Sequence, residues 1–169
     1  HLGLETGFDV DALSLPATAR AGLETDVRRA DAPYIVKSPF FCDMADEVLA
    51  SGLRIDHVII PTRQFDAAAV SRAHVQEATT GYVDGKRNTT VGGLWDTDKA
   101  HDQVDVLRLK FTRLIEALVR DDIPMTLLWY PRLARDPDYL YAKLGFLLGG
   151  IDSDSFRLVF DKIARPEWI

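Results

Sequence analysis

Residues 56–75 read DHVIIPTRQFDAAAVSRAHV. The run HVIIP at 57–61 is apolar and β-branched, which predicts a short buried strand. An Arg follows at the turn, and Asp66 then opens an alanine-rich helix predicted to run to about Thr79. Strand, short turn, helix is the building unit of a layered α/β domain.

The flanking sequence repeats that alternation. Two more strands are predicted, PYIVKS at 33–38 and PMTLLWYP at 124–131, the latter bounded by prolines. Asp43 caps a helix carrying Met44, Val48 and Leu49 and closing near Ser51-Gly52. Over 98–120, Val104, Leu107, Phe111, Leu114, Ile115 and Leu118 recur at three- and four-residue steps, one face of a long helix. Asp136 with Pro137 predicts a capped helix start, with Leu140, Leu144, Leu147 and Leu148 inward and Gly149-Gly150 as its stop. A last helix is expected from Asp152 or Ser153, with Phe156, Phe160 and Ile163 inward. The expectation is one α/β domain over residues 1–169 with a mostly parallel sheet.

Ligands of such sheets bind at the carboxyl ends of the strands. Those exits are Lys37-Ser38, Thr62-Arg63 and Pro131-Arg132, so three basic residues are expected to converge. Twenty Lys plus Arg against 26 Asp plus Glu leave a formal charge of -6, which argues against a broad nucleic-acid footprint and confines any phosphate site to a small pocket. The single Cys42 excludes an intramolecular disulfide and a cysteine-rich zinc site and favours a reducing compartment or indifference to redox; the expected setting is cytoplasmic. Four scattered His show no ligand spacing, so no metal is expected. With no 18-residue apolar run and no cationic flank before an apolar stretch in HLGLETGFDVD, neither membrane span nor signal peptide is expected.

The polar stretch 79–97, TTGYVDGKRNTTVGGLWDT, holds four glycines and Lys86-Arg87, and reads as a lid or substrate loop or as an insertion without a role. Trp95 within it would stack on a ring of substrate or cofactor, or anchor the loop to the body. Arg63 and Ser71, eight positions apart, suit a phosphate monoester gripped by a forked cation and a hydroxyl. By spacing alone they equally describe a solvated Arg and a helix Ser bonded to its own backbone.

The segment 56–75 resembles the 3'-phosphate-binding strand-turn-helix of sulfotransferases, in which an Arg ends the strand and a Ser lies about eight residues on. PYIVKSPFFCDMADEVL at 33–49 is similar to the Lys-Ser-Pro segment of bacterial and Golgi-type members, and YPRLARDPDYLYAKLGFLL at 130–148 to the family's carboxyl-terminal strand-loop-helix. The resemblance covers roughly residues 33–165. It implies a three-layer, P-loop-NTPase-like fold that moves a sulfuryl group from 3'-phosphoadenosine 5'-phosphosulfate to a hydroxyl or amine of a small-molecule or carbohydrate acceptor. It also implies that Arg63 and Ser71 hold the 3'-phosphate and that Lys37 stands near the transferring group.

The sequence departs from the family in three places. Val36 stands where heparan-type members carry a Glu base, leaving His74 either as the candidate base, on the ground that imidazole titrates near neutrality, or as a surface residue one turn beyond Ser71. Gln64-Phe65 replaces the usual Asp-Pro after the Arg. No glycine-rich 5'-phosphosulfate loop occurs in residues 1–36, so the first strand and its loop are expected to precede His1. Two other readings stand beside sulfuryl transfer: a non-catalytic nucleotide- or partner-binding domain on the same scaffold, and a small-molecule P-loop kinase. Neither acceptor nor oligomeric state has a motif.

Overall fold

A computed structural model describes residues 27–78 and 92–166. The described chain forms two compact units, one drawn from His1–Arg54 and Gln64–Asp122, the other from Ile55–Arg63 and Ile123–Ile169. The expectation for the amino end, and that for Lys86-Arg87, lie outside the described residues.

The first unit is helical: α1 (Phe41–Ala50), α2 (Phe65–Ala78) and α3 (Gln103–Arg120), the last preceded by a 3-10 turn at Ala100–Asp102. Both α1 and α2 pack on α3. Ala45 and Val48 of α1, Ala69 of α2 and Leu114, Ala117 and Leu118 of α3 are buried, with Val48 and Leu118 fully so. Each fully buried aliphatic side chain contributes about 1.5–3 kcal/mol relative to exposure. α1 is capped by Phe40, three residues before the predicted Asp43, and Gly52 at φ 80 follows its end, the left-handed conformation that a helix stop favours.

The second unit holds the sheet. β1 (Val58–Thr62) and β2 (Met125–Trp129) pair in parallel, with Ile60 opposite Leu127. The Val58 N–H donates to Pro124 and the Tyr130 N–H to Thr62, at 2.9 and 2.7 Å. Parallel ladders use alternate residues of a strand, so Val58, Ile60 and Thr62 face β2, and Pro61, which has no N–H, faces away from it. Ile60 and Leu128 are buried. A 3-10 turn at Arg132–Ala134 leads to α4 (Pro137–Leu144), a second at Gly145–Leu147 follows it, and α5 is Ser153–Ile163. Both predicted caps form: Asp136 accepts from the Tyr139 N–H at 2.9 Å and Asp152 from the Ser155 N–H at 2.8 Å. α4 packs on α5, where Tyr141 and Phe156 meet edge to face at 5.4 Å.

The fold is thus mixed helix and strand with a two-stranded parallel sheet among the described residues. One predicted strand is corrected: residues 33–38 have no strand conformation. Tyr34 is 71% exposed and Ile35 also lies in solvent, so the apolar run that suggested a buried strand is not buried. No helix among the described residues is long and apolar enough to cross a membrane.

Candidate functional site

The carboxyl ends of β1 and β2 lie side by side, and Arg63 leaves the first while Tyr130 leaves the second. The Arg63 guanidinium lies over the Tyr130 ring, 5.1 Å from its centroid. Its Nε is buried and has no hydrogen-bond partner among the described residues, nor does any of them pair with its charge. Arg132, the other cation at this end, is engaged differently. Its Nε donates to Asp136 at 2.9 Å and its guanidinium covers the Tyr139 ring at 4.4 Å. The Tyr139 hydroxyl in turn accepts from the Trp129 N–H at 2.8 Å, tying α4 to the end of β2. Hydrogen bonds from the Tyr139 backbone, then from Arg132, hold the Asp136 carboxyl below its usual range.

Arg63 is therefore an exit residue as expected, and it is the one of the two cations here with its charge unspent. The convergence of three strand exits is corrected, because Lys37 does not follow a strand. It is exposed on the segment leading into α1. Ser71 and His74 are exposed on α2, one turn apart, and the Ser71 hydroxyl makes no bond to its own helix.

In the helical unit the side chains sequence reasoning missed are Lys110 and Gln103. Both are buried, Lys110 to 7% exposure and Gln103 completely. Gln103 Oε1 accepts from the Trp95 N–H at 2.6 Å, and its Nε2 donates to the Trp95 carbonyl at 3.4 Å. The Lys110 ammonium pairs with Asp43 of α1 and with Asp96 at 2.6 Å. Burial works against its charge, yet hydrogen bonds to Asp43 and Asp96 and their negative charges outweigh it and raise its pKa. Arg72 Nη1 donates to the Gly93 carbonyl at 2.7 Å. Burial lowers the Arg72 pKa.

Trp95 sits among these groups. Lys110 Nζ and Arg72 lie 4.5 and 4.9 Å from its ring centroid, and Phe40 meets it edge-on at 5.9 Å. Of its two readings, the anchor to the body is the one seen. Cys42, half-buried beside Asp43, has its thiol pushed up to about 11, chiefly by burial. A thiol so seldom ionised is a packing residue near neutral pH. The described residues contain no group of three His, Cys, Asp or Glu arranged to hold a metal ion.

A signal for the missed pair was present. Gln103 and Lys110 fall on the stripe shared with Leu107, Leu114 and Leu118, and polar residues at apolar-stripe positions mark buried hydrogen-bonding side chains.

No protein-family model, curated protein or solved structure matches this chain.

Proposed function

We propose that the chain binds a phosphorylated nucleotide through Arg63 and acts as a sulfotransferase-like domain of three-layer, P-loop-NTPase-like type. The observation that carries this reading is the Arg63 guanidinium at the carboxyl end of a parallel strand, with a buried Nε that no described residue satisfies. Native structures rarely leave a buried polar atom unpaired, and an oxygen of an anionic ligand is the partner a guanidinium fits best. The face of Arg63 is already held by Tyr130, which fixes the plane of its donors.

In the sulfotransferase reading, Arg63 binds the 3'-phosphate of 3'-phosphoadenosine 5'-phosphosulfate, the co-substrate that supplies the sulfuryl group to a small-molecule or carbohydrate acceptor. Transfer of such a group is mainly a matter of position and of neutralising charge on oxygen. Lys37 supplies positive charge and His74 accepts the acceptor's proton. The half-buried Val36 in place of an acid favours a second reading, a domain that binds the nucleotide without catalysis.

Isothermal titration with 3'-phosphoadenosine 5'-phosphate tests the proposal. Arg63→Ala should weaken binding at least tenfold, the loss of one charge-assisted hydrogen bond of about 1.5–3 kcal/mol. Arg132→Ala, whose charge is spent on Asp136, should leave it within about twofold on the scale of an exposed ion pair. Preference for ATP would favour a kinase, binding without sulfuryl transfer the non-catalytic domain, and no binding of either nucleotide would refute the site.

A further inference from the structure

The segment Gly92–Thr97 has no regular secondary structure, yet Gly93 within it is buried and its backbone is held at successive residues. The Gly93 carbonyl is held by Arg72, the Leu94 N–H by Gln76 Oε1 at 3.2 Å, and both backbone groups of Trp95 by Gln103. Asp96, in a left-handed conformation at φ 52, then reaches Lys110. These attachments are made by polar side chains of α2 and α3, two of which, Gln103 and Lys110, are themselves buried. The seam beneath is of another kind: α1 and α3 meet through Ala45, Val48, Leu114, Ala117 and Leu118. Polar attachments and apolar packing fail separately, and a segment held chiefly by the former, here with Trp95 against Phe40 besides, opens before the latter.

We propose that residues 92–97 form a strap latched by Lys110, which opens as a unit when that ammonium loses a carboxylate partner while the helices beneath stay packed. Lys110 is the bolt because it alone joins the strap to both helices: it grows from α3, takes Asp43 of α1 with one hydrogen bond and Asp96 of the strap with another, and lies on Trp95. With the ammonium gone, Asp43 and Asp96 face the same space as like charges, and the strap loses its ionic tie to Lys110. The latch stands independently of the nucleotide reading.

Hydrogen exchange on the full chain, followed by mass spectrometry, tests the latch. Lys110→Met should speed exchange at the Leu94 and Trp95 amides by about tenfold or more and leave the amides of Leu114–Leu118 within about twofold, the pattern of local opening. Asp96→Asn is the second variant, since Asn tolerates the left-handed backbone and removes only the charge; it should speed the same amides by a smaller factor. Unchanged exchange at Leu94 and Trp95 in both variants would overturn the proposal. So would an equal rise across α1 and α3, because the strap would then open only with the helices.

Discussion

A buried guanidinium nitrogen without a partner costs about 1–3 kcal/mol, and Arg63 Nε has none among the described residues. Methionine keeps most of the length of the side chain and its packing on Tyr130 while removing that cost. Arg63→Met should therefore leave stability unchanged or raise it by about 1 kcal/mol, read from the urea midpoint, while nucleotide binding is lost. A loss of more than about 2 kcal/mol would instead mark Arg63 as a structural residue. Lys110 makes the opposite case. It has as little access to solvent as many aliphatic side chains, but two carboxylates and an aromatic face surround its charge. The buried Lys110 is satisfied by the protein, whereas the half-buried Arg63 keeps a nitrogen that no described residue satisfies.

At the scale of elements, the two helices of the second unit begin on aspartates. Asp152 accepts from both the Ser155 N–H and the Ser155 hydroxyl, at 2.8 and 2.9 Å. Those bonds, the backbone one first, hold its carboxyl pKa below the usual value. A lowered folded-state pKa stabilises above the ordinary value near 3.8 and loses that contribution as pH falls through the folded one. Asp152→Ala should lower helicity and the urea midpoint at pH 7, and the gap from wild type should narrow as pH falls below the ordinary carboxyl value near 3.8. These caps were legible because helix signals are local: an acceptor side chain, a proline at the first turn, a stripe at 3.6-residue spacing. Arg63 was legible too, since a β-branched run followed by Arg and a helix start can be read from ten residues. The strand expected at 33–38 was not of this kind. Tyr34, Ile35 and Val36 have the composition of a strand, but a strand exists only through a partner at long range, and composition does not say whether one is there. The register of β1 on β2 and the tie of Lys110 to Asp43, 67 residues away, are long-range in the same sense.

For the molecule as a whole, the chain leaves its helical unit at residue 55, contributes β1 to the other, and returns at residue 64. The stretch 56–75 thus supplies a strand to one unit and a helix to the other, and Arg63 is the last residue before the crossing. A net charge of -6 keeps separate molecules apart near neutral pH, and that repulsion weakens toward the isoelectric point near 5.1. Proximity then tests what each molecule presents to the next. Pro61 bears on that encounter. Among the described residues no strand pairs with the other side of β1, where Ile59 and Pro61 lie; proline cannot donate there, so a strand from a neighbouring molecule would meet a gap in the hydrogen-bond row. Without it, His57–Thr62 would be an unbroken tract of β-forming residues. Pro61→Val should shorten the lag of thioflavin-positive aggregation at pH 5, and an unchanged lag would count against the protective role. A shortened lag would mean that the residue ending the strand's apolar run also guards the protein against its own copies.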